Sequence, residues 1–194
     1  MALINETMTL EKKNKVFVAT SLDGYIADKQ GKIDWLHSIP NPGNIDMGYD
    51  LFDSQIDALV MGRITFETVC GFDIDWPYQK PVFVLSKSME SIPEGYQDKA
   101  FLLNGPLKDI LESIHKKGFH RLYIDGGRTI QNFLKEDLID EITITIIPHL
   151  LGGGVRLFAD LSKKLKFECV DTNIYLEEVV QNYFVRKRKS PTAK

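Results

Sequence analysis

RLYIDGGRTIQNFLKEDLIDEITITIIPHLLGGG, Arg121 to Gly154, is the stretch from which the fold can be read. Leu122-Tyr123-Ile124 is a short apolar strand that breaks at Asp125-Gly126-Gly127. Ile130, Phe133, Leu134 and Leu138 then recur at helical spacing. From Glu141 to Ile147 isoleucine alternates with threonine and glutamate, the period-two mark of a strand with one buried face. Strand, glycine pair, helix and strand make one βαβ unit. With no side chains at the strand-to-helix handover, the backbone can turn sharply and a ligand can reach the first free N–H groups of the helix. Those groups and the helix dipole favour an anion, most often a phosphate. A tight turn with no ligand is the competing reading of the same pair. The motif is neither the longer GxGxxG fingerprint nor a P-loop.

Composition narrows the classes. A chain of 194 residues fits one domain with a substantial core. Its 43% hydrophobic and 26% charged content is ordinary for a globular protein, and a net charge of −3 gives no reason to expect nucleic-acid binding. No apolar run approaches the roughly 20 residues needed to cross a bilayer, and the N-terminus lacks a signal-peptide pattern. Cys70 and Cys169 are too few and too far apart for a metal site or a disulfide framework. The expectation is a cytoplasmic protein with reduced thiols, no metal, and no membrane or nucleic-acid partner.

Outward from the central unit, Met1–Asn14 reads as a polar tail, 15–187 as the domain, and 188–194 as the basic tail, with the run Arg186-Lys187-Arg188-Lys189 solvated. Val16–Ala19 is a short buried strand, followed by the turn dipeptide Asp23-Gly24. A loop through Pro42, Gly43 and Gly48 precedes a helix carrying Tyr49, Phe52 and Ile56. Ala58–Met61 is an apolar strand running into Gly62-Arg63-Ile64-Thr65-Phe66-Glu67, a second glycine-opened junction. An arginine in a first helical turn opposes the dipole, and a bound anion would explain it; a solvated surface arginine is the alternative. Val82–Leu85 ends in Ser86-Lys87-Ser88. Ala100–Leu103 is a further strand, Leu107, Ile110, Leu111 and Ile114 mark an amphipathic helix, and Leu165–Val170 with Tyr175–Val185 form a closing antiparallel hairpin. Strands and helices alternate through the middle, so the class is α/β. Ligands of open α/β sheets bind at the carboxyl ends of strands. Three such ends here carry anion-friendly groups, which points to a large ligand with several phosphates.

Four segments give the chain a family resemblance. They are Ala19-Thr20-Ser21-Leu22-Asp23-Gly24-Tyr25-Ile26-Ala27, Val60-Met61-Gly62-Arg63-Ile64-Thr65-Phe66-Glu67, Val84-Leu85-Ser86-Lys87 and Tyr123-Ile124-Asp125-Gly126-Gly127. In this order they resemble the dihydrofolate-reductase-like superfamily, in the branch of the C-terminal reductase domain of the bacterial bifunctional riboflavin-biosynthesis deaminase/reductase. The resemblance implies a mixed, mostly parallel central sheet flanked by helices, with an antiparallel C-terminal hairpin, and NADPH as cofactor. By the same resemblance Gly62, Arg63 and Thr65 would hold phosphates of NADPH, and Ser86 and Lys87 its adenosine 2′-phosphate end. Gly126, Gly127, Arg128 and Thr129 would cover the pyrophosphate, and Ala19 and Ile26 would border the nicotinamide. Cations and hydroxyls at Arg63, Ser86 and Lys87 suit NADP better than NAD.

The chain also departs from the pattern. Dihydrofolate reductases aim one carboxylate at the pterin; here that region offers Asp46, Asp50 and Asp53, and the Leu-Pro-Trp motif is absent. Asp50 and Asp23 are the candidate acids. Their structural alternatives are a solvated helix-end carboxylate and a turn-forming Asp-Gly. No HxE or PCxxC pattern of a zinc deaminase is present. The four histidines are scattered. The function implied is hydride transfer to a small pterin-like or pyrimidine molecule, of the kind represented by 5-amino-6-(5-phosphoribosylamino)uracil or dihydrofolate. The alternative is an NADP-binding module without turnover, acting as a sensor or interaction protein. A homodimer is expected from the Ile-Thr alternation at 142–147, the aromatic hairpin around Tyr175, Tyr183 and Phe184, and the habit of riboflavin-branch relatives.

Overall fold

The computed structural model describes residues 11–188. In chain order the elements are β1 (Lys13–Ser21), β2 (Tyr25–Ala27), a 3-10 turn (Asp34–His37), α1 (Tyr49–Ser54), β3 (Ala58–Gly62), α2 (Arg63–Cys70), β4 (Val82–Leu85), β5 (Ala100–Leu103), α3 (Leu107–Lys116), β6 (Arg121–Asp125), α4 (Gly127–Lys135), β7 (Glu141–Ile147), β8 (Val155–Arg156), β9 (Phe167–Tyr175) and β10 (Val179–Arg186). The main sheet has the order β5-β4-β3-β6-β1-β7-β10-β9, and β2 pairs with β8 in a separate ribbon. Strands β5 to β7 of that order run parallel, and β10 and β9 are antiparallel, so the sheet is mixed and mostly parallel with a C-terminal hairpin.

The unit read from residues 121–147 is present, with a strand inserted in it. β6 and β7 are not neighbours; β1 lies between them, parallel to both. β7 thus lies inside the sheet, and burial reaches both its faces: Glu141, Thr145 and Ile147 are buried on one, and Ile142 on the other. One buried face was the expectation; the second face is partly covered as well, with Ile144 and Ile146 half-buried beside Ile142. Glu141 is held by Lys13 at 2.8 Å and Lys15 at 2.9 Å. Burial works against its charge, and the two ammonium groups outweigh burial to keep the carboxyl below the usual range.

Strand alternation sorts the core into two layers. Val16, Val60, Phe83, Leu122 and Ile124 face α3 and α4, meeting Ile110, Ile114, Ile130 and Phe133. Leu59, Met61, Val82, Val84 and Tyr123 face α1 and α2, meeting Phe52 and Phe66. A parallel sheet covered on both faces is the standard solution for apolar strands of this kind.

Several boundaries differ from the pattern in the sequence. β1 begins at Lys13, ahead of the expected strand at Val16–Ala19 and of the domain start at Lys15, because Asn14 is bonded into the fold: its side chain donates to Leu138 O at 2.7 Å, and its N–H to Asp140 Oδ2 at 2.8 Å. Helix α4 stops at Lys135, short of Leu138, where the positive φ of Asp137 reverses the chain and Leu138 N donates back to Phe133 O at 2.9 Å. The hairpin turns at Leu176 and Glu177, both at positive φ, so its first strand extends to Tyr175 and does not end at Val170. The basic end is docked as far as it is described: Arg186 grips Asp137 through Nε at 2.7 Å and NH2 at 3.0 Å, and Arg188 pairs with Asp140. The rest of the expected tail, 189–194, and most of the N-terminal tail lie outside the described residues.

Phe133 has no exposed surface and packs at the centre of the α4 layer. Phe133→Ala should cost about 3–5 kcal/mol. Ile74→Ala, at a position 65% exposed, should stay within roughly 0.5 kcal/mol of the parent. Urea unfolding of the two variants beside the parent measures both.

Candidate functional site

Strand register brings the chemistry to one end of the sheet. Met61 pairs with Asp125, and Gly62 with Leu85, so β3, β4 and β6 finish level with one another. The residues that follow each strand therefore meet: Arg63, Ser86 and Gly126. Helices α2 and α4 both begin there, and neither has a side-chain cap at its N-terminus; Gly62 and Gly126 stand at the cap positions. Their leading N–H groups are left for another acceptor.

The two junctions lock together. A Cβ on Gly126 would overlap Thr65 Oγ1, and one on Gly62 would lie 3.1 Å from Thr129 Oγ1. Each junction thus presents a glycine to the other's threonine. Gly126 also sits at φ +85°, where a side chain is strained. Gly127 is different: it is helical, and its missing side chain makes room for Ile26, 2.9 Å from an added Cβ, and Val155 at 3.1 Å. The glycine pair divides its work, the first residue for the turn and the second for packing of the β2–β8 ribbon.

Above these junctions is a cavity of about 860 Å³. Every residue expected to hold a cofactor lines it: Gly62, Arg63 and Thr65; Ser86 and Lys87; Gly126, Gly127, Arg128 and Thr129; and Ala19 with Ile26. Arg63 is engaged by its own helix, NH1 lying 2.9 and 2.7 Å from the carboxylate oxygens of Glu67. That i,i+4 pair offsets the poor match between a cation and the start of α2. Ser86 Oγ accepts from Met89 N at 2.9 Å and Ser88 N at 3.1 Å, which fixes the turn carrying Lys87. The donor set is main-chain N–H groups, hydroxyls and cations around side-chain-free backbone, and it fits phosphate groups.

The two expected acids are not among the lining residues. Asp23 accepts from Ser21 Oγ at 2.6 Å, Gly152 N at 2.8 Å and Leu151 N at 3.1 Å, and the Ser21 bond leads in holding its carboxyl below the usual range. It ties the loop at 151–154 to the turn after β1. Asp50 is exposed in the first turn of α1, its N–H taken by Asp46 Oδ2 at 2.9 Å. The carboxylate that does line the cavity is Asp125. It follows Tyr123 on the α1–α2 side of β6, and its one hydrogen bond is from Gly126 N at 2.7 Å. Burial pushes its carboxyl up to about 6 against the pull of that N–H. Tyr78 and Tyr123 share the wall, and Tyr123 donates to Phe17 O at 2.8 Å. Burial, then the carboxylates of Asp53, Asp125 and Asp50, push nearby Tyr49 up to about 12, so it stays a neutral hydroxyl. In the sequence Asp125 passed as a turn former. The available signal was its place two residues after Tyr123, on one face of a strand whose other face is Leu122 and Ile124.

Comparison with known proteins bears on the family and the fold. The RibD C-terminal domain description matches residues 14–180. The uncharacterized protein YwjB of Bacillus subtilis is 35% identical over 180 residues, which is 91% of this chain and 99% of that protein. A crystal structure from Shewanella sp. PV-4, bearing a provisional riboflavin-biosynthesis name, is 57% identical with a TM-score of 0.89, over 91% of this chain and 99% of that one. Dihydrofolate reductase from Enterococcus faecalis, solved with NADP(H), shares the fold at 17% identity with a TM-score of 0.63, over 91% and 97% of the two chains. No helix among the described residues is long and apolar enough to cross a membrane.

Asp125 has a testable cost. Between the unfolded carboxyl value near 4 and the folded value of about 6, the folded chain holds a proton that the unfolded chain releases. The charge therefore destabilises the fold as pH rises through that window, and fully above it. Asp125→Asn keeps an acceptor for Gly126 N–H and removes the charge. It should be more stable than the parent at neutral pH by on the order of 1–3 kcal/mol, with the gain vanishing near pH 4. Urea unfolding at both pH values decides this; a gain that ignores pH would show that desolvation of Asp125 is not its source.

Proposed function

The chain belongs to the RibD C-terminal domain family, and from that premise we propose that it is a reductase that uses NADPH on a small pterin-like or pyrimidine substrate. One observation carries the proposal: two uncapped helix N-termini open into a single cavity beside Arg63, Lys87 and Arg128. A dinucleotide phosphate has the matching anions. The main chain at Gly62 and at Gly126–Thr129, with the Thr65 hydroxyl, would take the pyrophosphate. Ser86, Lys87 and Arg63 would take the 2′-phosphate, and Ala19 with Ile26 would flank the nicotinamide. NADPH supplies a hydride.

The protein's own part is alignment, exclusion of water and one proton. Asp125 is suited to the last: with a carboxyl near 6 it can carry a proton close to neutral pH and give it to a ring nitrogen beside the carbon being reduced. Asp23 and Asp50, bound into loop and helix-end structure, are replaced by Asp125 in this role. Tyr123 and Tyr78 would line the ring.

The measurement is a titration with both nucleotides and an oxidation assay against pterin and pyrimidine acceptors. NADPH should bind about tenfold or more tighter than NADH, the worth of one charge-assisted phosphate contact. Asp125→Asn should lower kcat by roughly 10²-fold or more while leaving NADPH affinity unchanged. Equal affinity for the two nucleotides would sink the phosphate assignment. Tight NADPH binding with no acceptor reduced would leave a binding module instead.

We also propose a homodimer. β9 is the longer of the two edge strands of the main sheet, nine residues long, with Val170 50% and Ile174 67% exposed. An edge strand of that length with two exposed β-branched residues is a site for pairing with another strand. Light scattering at micromolar concentration should return twice the chain mass, and a monomer mass would reject the idea.

A further inference from the structure

A second, smaller cavity of about 280 Å³ lies between α1 and strands β1, β7, β10 and β9. Among the described residues Phe17 alone lines both it and the larger cavity. Strand register makes its floor polar. Lys15 pairs with Glu141, Thr143 with Phe17 and Tyr183, and Gln181 with Thr145 and Asn173, so polar side chains run in rows across one face of these four strands. Towards β3 and β4 the same face turns apolar, with Leu59, Met61, Val82 and Val84 under α1 and α2. Helix α1 has six residues and packs Tyr49 and Phe52 on Phe17, so it covers only the near part of the polar rows. The side chains of Lys15 and Glu141 are nevertheless only 9% and 6% exposed. A buried ion pair is a weak source of stability, and apolar residues would have filled this space better. Polar groups converging on a concave site are what a ligand needs.

The hydrogen-bonding capacity still open there is mixed. An ammonium has three N–H donors, and Lys15 spends two, on Glu141 and on Gln55 Oε1, each at 2.9 Å. Gln55 keeps its amide N–H groups. Gln181 Nε2 donates to Thr145 Oγ1 at 2.9 Å and Met47 O at 3.0 Å, which leaves its oxygen to accept. Asn173 donates to Asp171 Oδ2 at 2.9 Å and also keeps its oxygen. Tyr175 adds a hydroxyl and an aromatic face to the wall. The charges nearly cancel: Lys15 and Lys13 stand against Glu141 and Asp171. Burial, then Glu141, pushes the Tyr183 hydroxyl up to about 12, so that group is neutral too. An anion would meet Asp171 and a lysine already paired, and a cation would meet that lysine. Donors and acceptors side by side, without net charge, match hydroxyl groups, each of which both gives and accepts a hydrogen bond. We propose that this cavity is a second ligand site, separate from the one beside the strand-to-helix junctions, and that it takes a neutral polyhydroxylated molecule of monosaccharide size. The proposal does not depend on the NADPH reading.

The test is an amide NMR titration of the whole chain with two neutral probes, D-glucose and sorbitol, and two charged counterparts, gluconate and glucosamine. At least one neutral probe should give saturable shifts centred on Lys15, Asn173 and Gln181, and should bind tenfold or more tighter than either charged one. Asn173→Ala, at an exposed position on the rim, and Tyr175→Phe, which removes one hydroxyl, should each weaken that binding about tenfold. Thr68→Ala, on the wall of the larger cavity, should leave it unchanged. Thermal unfolding of each variant beside the parent separates lost binding from lost fold. The proposal is overturned by the absence of saturable shifts with both neutral probes, by preference for a charged probe, by shifts centred on Gly62 and Gly126, or by binding that neither Asn173→Ala nor Tyr175→Phe alters.

Discussion

The reciprocal contact between two strand-to-helix junctions is the constraint on which the rest of the site depends. Gly126 faces Thr65 at a separation that admits no additional carbon, and Gly62 faces Thr129 with room for one only if the threonine shifts. Because β3 and β6 are hydrogen-bonded neighbours, this contact fixes where α2 and α4 start relative to each other. It also clears the backbone of side chains at the place where two sets of helix N–H groups open. The same feature that packs the sheet top thus makes it receptive to anions.

Layering supplies the other half. Strand alternation sends Leu122 and Ile124 to the α3–α4 core and Tyr123 and Asp125 to the α1–α2 side. A carboxylate is thereby carried into an aromatic wall, where desolvation raises its pKa toward neutrality. A poor stabiliser of the fold is by the same physics a group able to hold and release a proton. Placing a group costly to stability in a cleft is a common mark of a functional position.

At the far side of the sheet, polar anchoring takes over from hydrophobic burial. Arg186 and Arg188 close on Asp137 and Asp140 at the link between α4 and β7, which fastens β10 against β7. β9 has no such cover and reaches into solvent, with the long antiparallel pairing to β10 as its support. The closed, layered half holds the cavity, and the open half offers an edge.

Much of this was written in the sequence. The period-two and helical patterns around Tyr123, Phe133 and Ile144 determined the α/β class, and glycines, hydroxyls and cations after Met61, Leu85 and Asp125 marked three strand ends that do converge. Local pattern reports which residues a backbone segment buries and where it must turn, so it reaches elements and junctions. Only the tertiary structure decided that β1 lies between β6 and β7, that Asp23 is spent on a loop, and that Asp125 looks into the cavity. Each of those follows from strand order and register, which are set by contacts between residues far apart in the chain. No periodicity within a segment encodes them.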